Sequence, residues 1–204
     1  MSIGARQPFD AIVLAGGEGV RLGGADKAAI AVGGRPMLAY ALDAVAGARR
    51  TVVVAPPTVE TFGVDRVQED PPLGGPAAGL AAGLAHLDGD GGVPIVVLAC
   101  DLPLAGPVVH ELLEALALDD GADGAAVVDG AGRRQSLLAV YRRPALRSAV
   151  VRLMASGGLN GASMWRLLET MTLIEVPDPT GAAQDGDTWD AVAELDSIIA
   201  RRTT

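Results

Sequence analysis

The chain has few of the residues that usually announce a chemistry. Its 204 residues include one cysteine, Cys100, and two histidines, His86 and His110. A single thiol excludes an internal disulfide framework and a cysteine-rich zinc site, and it suits a reducing compartment. Aromatic residues make up 3% of the chain against 50% for hydrophobic residues as a whole. The core must therefore be built from Val, Leu, Ile and Ala, a composition that suits a parallel sheet covered on both faces. Positive charge is short as well, with 16 Lys and Arg against 25 Asp and Glu, a formal net charge of −9. Such a chain repels nucleic acid and anionic membranes at long range, so neither is expected as a partner. Any anion it binds must meet a local cationic site. No apolar run approaches membrane-spanning length, and Met1 to Phe9 lacks the apolar centre of a signal peptide. A soluble, cytoplasmic protein is the expectation.

What is present is a regular alternation. Apolar runs of strand length lie at Ala11 to Ala15, Val52 to Ala55, Ile95 to Cys100, Ala125 to Val128, Leu137 to Tyr141 and Leu173 to Val176. Between them, apolar residues recur at helical spacing in Met37, Leu38, Ala41, Leu42 and Val45, and again in Val108, Val109, Leu112, Leu113 and Leu116. Pro36 and Pro107 suit the first turns of those helices, and a further helix is predicted from Pro76 to Leu87. Strand and helix in turn imply parallel crossovers, hence a three-layer α/β/α domain with a mostly parallel sheet. Gly47, Gly89 to Gly92 and Gly121 punctuate these units without forming a linker, so residues 1–204 read as a single domain. A last helix, Trp189 to Ala200, is expected to dock its apolar residues on the sheet.

In an open parallel sheet, ligands gather at the carboxyl ends of the strands. The first strand runs there into Leu14-Ala15-Gly16-Gly17-Glu18-Gly19-Val20-Arg21-Leu22-Gly23-Gly24-Ala25-Asp26-Lys27, a segment with five glycines and two cations. Glycines let backbone amides approach a ligand closely and form an anion-binding concavity, to which Arg21 and Lys27 add charge. The P-loop pattern fails because Ala28, not Ser or Thr, follows Lys27. The dinucleotide fingerprint fails because Leu22 replaces its third glycine. The remaining readings are a phosphate loop of another kind or a flexible surface loop with incidental charges.

Asp101 follows the apolar strand ending at Cys100, so its carboxylate should emerge at the ligand edge. Magnesium takes oxygen ligands and commonly combines one or two carboxylates with substrate phosphates, a role open to Asp101. Capping of the next helix is the alternative. Asp185 and Asp187 precede the last helix, where Asp187 or Thr188 could equally be a cap. Arg133, Arg134 and Gln135 precede a strand and could steer an anionic ligand or form a solvated turn. His86 and His110 have no matched carboxylate or cysteine partner in the sequence and read as structural. Cys100 reads as a small hydrophobe, and Trp165 and Trp189 as core or edge packing.

The run LAGGEGVRLGGADKAAIAVGGRPML resembles the signature of nucleotidyltransferases with a Rossmann-like fold, and its Gly-Gly-x-Asp-Lys ending is similar to that of molybdenum cofactor guanylyltransferases. The resemblance continues through Glu69-Asp70-Pro71-Pro72-Leu73-Gly74-Gly75-Pro76-Ala77-Ala78-Gly79 and Cys100-Asp101-Leu102-Pro103, and ends weakly at Asp185-Gly186-Asp187-Thr188-Trp189-Asp190. It implies that Leu14, Ala15, Gly16, Gly17 and Gly19 surround the donor phosphates, with Arg21 and Lys27 neutralising developing charge. Asp101 would be the Mg2+ ligand and Asp187 a second metal contact, with Asp185 as the alternative. Asp70 would lie near the ribose, Gly75 would allow close backbone approach, and Gln135 would lie near the acceptor. The donor would be GTP, or CTP in a related enzyme, because Ala55-Pro56-Pro57 stands where the family often carries an Asn that meets the base. The acceptor would be molybdopterin or another phosphorylated molecule, and molybdoenzymes or cofactor-insertion proteins would be partners. A nucleotide-binding regulator without turnover is the rival from another class, and the joint presence of Lys27 and Asp101 weighs against it.

Overall fold

Short runs of Val, Ile, Leu and Ala form the centre of one sheet, because alternate side chains can be buried on opposite faces. The computed structural model describes residues 7–17, 20–87, 89 and 92–203. In chain order the elements are β1 (Asp10–Leu14), β2 (Ala31–Val32), β3 (Arg35–Pro36), α1 (Met37–Ala44), β4 (Thr51–Val54), β5 (Asp65–Val67), α2 (Pro76–His86) and β6 (Ile95–Ala99). They continue with α3 (Gly106–Ala117), β7 (Gly124–Val128), β8 (Arg134–Tyr141), α4 (Arg143–Ser156), α5 (Met164–Leu168), β9 (Leu173–Pro177) and α6 (Trp189–Thr203). Seven strands make the main sheet in the order β5-β4-β1-β6-β8-β7-β9, and β2 and β3 form a separate hairpin. β8 alone runs against its neighbours β6 and β7; the other pairings are parallel.

Period-two alternation sorts the core into two layers. Ala11, Val13, Val53, Val96 and Leu98 face α1 and α3, meeting Leu38, Ala41, Leu112 and Leu116. Ile12, Leu14, Val52, Val54, Ile95 and Val97 face the opposite layer, where α2, α4 and α5 contribute Leu80, Leu84, Leu146, Leu153 and Leu167. Small residues bring α2 close to the sheet: a Cβ on Gly83 would stand 2.8 Å from Ile12 Cγ2. The three-layer α/β/α architecture is thus as expected.

Several details differ from the sequence reading. β8 begins at Arg134, before Leu137, and returns antiparallel after a hairpin, so Arg134 and Gln135 lie in a strand instead of the turn. α6 does not dock on the sheet. Its Val192, Leu195 and Ile199 pack with Leu22, Ile30, Val32, Met37 and Leu104, a third cluster built on the loop and hairpin after β1. Pro36 is the N-cap of α1, one residue before its first turn, while Pro107 does stand in the first turn of α3. Trp165 and Trp189 are 77% and 56% exposed and belong to no core. His86 and His110 do meet carboxylates, Asp65 Oδ2 at 3.2 Å and Glu114 Oε1 at 3.1 Å, both at the surface. Among the described residues no helix is long and apolar enough to cross a membrane.

At the amino edge of the sheet, Asp10 opens β1 and Arg143 opens α4. Both are buried: Arg143 Nη2 donates to Asp10 Oδ2, and Nη1 donates to Leu87 O at 2.7 Å. Asp10 Oδ1 and Arg143 Nε have no hydrogen-bond partner among the described residues.

Candidate active site

The opposite edge, where β1, β4, β5 and β6 end, carries a cleft of about 510 Å3. The end of β1 is held on both sides, since Ala15 N donates to Val54 O and Cys100 N donates to Leu14 O, each at 2.9 Å. Beyond these bonds the chain lifts away from the sheet. Gly16 and Gly17 are exposed and line the cleft, and Gly17 has φ 135, a backbone that side chains disfavour. The loop then forms 3-10 turns at Val20–Leu22 and Lys27–Ala29. Asp26 caps the second, accepting from Ala28 N at 3.0 Å, and so fixes where Lys27 leaves the backbone.

Lys27 reaches two carboxylates supplied by distant parts of the chain. Its Nζ donates to Asp101 Oδ2 at 3.1 Å and also to Asp187 Oδ1. Asp101 sits just past β6 and is 8% exposed. It does not cap α3, whose N-cap is Ala105 with no side-chain bond. Asp187 does not cap α6 either: Thr188 Oγ1 accepts from Ala191 N at 3.2 Å. Both carboxylates are therefore left to face the cleft. Arg21 is exposed and reaches Asp187 Oδ2 at 3.4 Å.

Gly186 explains how Asp187 arrives there. Its N–H donates to Asp101 O at 3.1 Å, tying the two acidic segments together. A Cβ at Gly186 would stand 2.6 Å from Met37 Sδ, so any side chain there must displace the end of Met37. Burial pulls the Lys27 ammonium down, but the bonds and charges of Asp187 and Asp101 outweigh it and hold Lys27 above the ordinary lysine value. Asp185 lines the same cleft. Its carboxyl is held above the usual range by desolvation first, then by the charges of Asp187 and Asp101.

Of the residues singled out from the sequence, the structure brings together at the cleft Leu14, Gly16, Gly17, Lys27, Gly75, Asp101, Gln135, Asp185 and Asp187. Ala15 is buried and is not among the residues that line the cleft. Arg21 acts on the cleft only through Asp187, and Gly19 lies outside the described residues. Asp70 is exposed and does not line the cleft; its neighbour Glu69 does. On the far wall Arg134 pairs with Glu175 Oε1 at 2.9 Å, and Gln135 Nε2 donates to Asp129 Oδ2 at 2.8 Å. Arg133 turns away to Asp129 and takes no part. Cys100 is buried, and burial pushes its thiol pKa up, which suits packing and not nucleophilic attack.

The donor set suits a hard cation. Asp101 and Asp187 direct oxygens at one point, which the Lys27 ammonium marks as favourable to positive charge. Among the described residues no three His, Cys, Asp or Glu side chains converge closely enough to hold a metal by themselves. A cation bound there would complete its shell with phosphate or water oxygens, as magnesium commonly does.

The family model for the MobA-like NTP transferase domain matches residues 11–173. A molybdenum cofactor guanylyltransferase of Cupriavidus metallidurans is 33% identical over 190 residues, spanning 88% of this chain and 89% of that protein. Among solved structures, molybdopterin-guanine dinucleotide biosynthesis protein A from Archaeoglobus fulgidus superposes with a TM-score of 0.71 at 22% identity, over 95% of this chain and 100% of that one. 2-C-methyl-D-erythritol 4-phosphate cytidylyltransferase from Thermus thermophilus has a TM-score of 0.67 at 19% identity, over 93% of this chain and 98% of that one. Likeness at these two identities shows the fold.

Proposed function

The chain belongs to the family of MobA-like NTP transferase domains and is a nucleotidyltransferase; on that premise we propose that it transfers GMP from GTP to a molybdopterin-type acceptor with release of pyrophosphate. The observation that carries this reading is Lys27, held between Asp101 and Asp187 at the floor of a cleft whose rim is Gly16 and Gly17. The name of the Cupriavidus relative supports the guanylyl donor and the molybdenum cofactor as acceptor.

In this reading an oxygen of the acceptor's terminal phosphate attacks the α-phosphorus of the nucleotide in line. The bond from that phosphorus to the bridging oxygen breaks, and pyrophosphate leaves without a covalent enzyme intermediate. Such transfer depends on positioning and charge stabilisation. The N–H groups of Gly16 and Gly17 would donate to phosphate oxygens. Lys27 stays protonated through neutral pH and places a fixed cation where charge gathers on the departing pyrophosphate. Asp101 and Asp187 would hold a divalent cation, magnesium by its preference for oxygen, which supplies charge neutralisation at the reacting phosphate. Arg134 and Gln135 stand on the wall where an anionic acceptor would enter. A part in supplying molybdoenzymes or cofactor-insertion proteins follows from the same reading.

A CTP-dependent transferase is the second reading. Two observations favour it: the cytidylyltransferase shares the fold, and Ala55-Pro56 offers no amide side chain to a base. The test is pyrophosphate release with magnesium, each nucleoside triphosphate and a panel of phosphorylated acceptors. GTP with molybdopterin should be the productive pair. Turnover with CTP and not GTP would replace the proposal by its alternative. Nucleotide binding without turnover on any acceptor would make the protein a regulator.

A further inference from the structure

The two sides of the cleft offer a ligand different chemistry. Toward β8 the wall carries Arg134, Gln135 and Ser136. Toward β4 and β5 it is formed by Val54, Glu69, Leu73, Gly75, Pro76 and Gly79, apolar except for one carboxylate. Gly79 contributes to this side beside Val54 and Leu14. A planar ring can rest on such a surface.

Glu69 differs from the other charged groups of the cleft. Lys27, Asp101 and Asp187 engage one another, Arg134 engages Glu175, and Asp185 accepts from the backbone of Asp187. Among the described residues no hydrogen bond or ion pair engages Glu69, although it borders the cleft and is half-buried. It stands two residues past Val67, whose carbonyl accepts from Ala55 N at 2.9 Å, so it is fixed to the flank of the sheet away from β8. A carboxylate is an acceptor only, and its two oxygens are best satisfied by two adjacent N–H donors.

We propose that Glu69 reads the base of the donor nucleotide, accepting N1–H and the 2-amino group of guanine, and thereby selects GTP. This rests on the nucleotidyltransferase reading. Among the four common bases only guanine presents two neighbouring donors on one edge. Cytosine and adenine each present one donor beside a ring nitrogen that repels a carboxylate, and uracil presents one donor between two carbonyls. A wrong base leaves the carboxylate partly desolvated and unpaired, which is a source of discrimination.

The test is equilibrium binding of GTP, ITP, XTP and CTP in magnesium buffer to the unaltered protein, Glu69→Ala and Glu69→Gln, with folding followed by circular dichroism. The unaltered protein should bind GTP roughly 10- to 100-fold tighter than ITP, which lacks the 2-amino donor, and than CTP. Glu69→Ala should remove that margin by weakening GTP and leaving CTP unchanged. Glu69→Gln offers one acceptor and one donor, matching N1–H and the 2-carbonyl of xanthine, and should shift preference toward XTP. A GTP preference over CTP that survives in both folded variants would overturn the assignment and leave the enzyme class untouched. So would equal loss of GTP and CTP in Glu69→Ala, the mark of a phosphate or packing role. An unaltered protein that binds no nucleoside triphosphate would overturn the parent reading as well.

Discussion

The two edges of the central sheet each carry an acid–base cluster, and the two differ chiefly in access. At the carboxyl edge the side chains of Lys27, Asp101 and Asp187 are 25%, 12% and 34% exposed. At the amino edge those of Arg143 and Asp10 are 1% and 0% exposed. The buried pair cannot exchange partners: losing either member strands a charge away from water. The cluster in the cleft can give up one contact for another as phosphates or a cation arrive. The same chemistry is sealed at one edge and open to a ligand at the other.

The sharpest way to break this comparison is to cut each cluster and read both stability and activity. Arg143→Ala should destabilise by about 3–5 kcal/mol in urea unfolding, because Asp10 is left uncompensated. The joint change Asp10→Leu with Arg143→Met should recover most of that loss. Lys27→Ala should lower pyrophosphate release by about 100- to 1000-fold, as removal of a transition-state contact does. Its unfolding free energy should change by less than about 1 kcal/mol, as for a partly exposed ion pair. Near-normal turnover, or a large loss of stability, would make the carboxyl-edge cluster structural after all. Gly186→Ala lies between the two classes. Its Cβ must displace the end of Met37, at a cost of about 1–3 kcal/mol. It should also reduce turnover by moving Asp187, and unchanged turnover would show that Asp187 is dispensable.

The smallest effect concerns pH. Burial works against ionisation of Asp178, but bonds from the N–H groups of Ala183, Ala182 and Thr180 outweigh it and hold its carboxyl below the usual range. A depressed folded pKa gives stability that is present above the unfolded value, about 4. That stability is lost as pH falls through the folded value. Thermal unfolding of Asp178→Ala should therefore approach that of the unaltered protein as pH drops below about 4. A difference that stays constant down to low pH would exclude this titration.

How much of this was legible in the sequence depended on distance along the chain. The glycine-rich loop, Lys27 and Asp101 could be read because continuous apolar strands run to the ligand edge before the loop and before Asp101. The helical spacing of Leu146, Ala149, Val150 and Leu153 in α4 is equally plain. β5 could not be found, since Asp65-Arg66-Val67 is short, edge-placed and mostly exposed. The Asp10–Arg143 pair joins residues 133 positions apart, and no local pattern announces it. Whether Asp187 capped a helix or faced the cleft was open until Thr188 was seen to take the cap. Glu69 and Asp70 are equivalent as adjacent acids in the sequence, and only the fold decides which one meets the cleft.

The docking of α6 on the hairpin, with Gly33 N donating to Asp196 Oδ1 at 2.7 Å, also has a temporal side. During synthesis the loop, Lys27 and Asp101 emerge well before Asp187, which arrives only with the final helix. Until that helix closes on residues made near the start, the partly made protein can form its sheet but lacks half of its carboxylate pair. On the proposed reading, competence for phosphoryl chemistry would wait for Asp187, so a polypeptide stalled before that residue should be folded in part and silent.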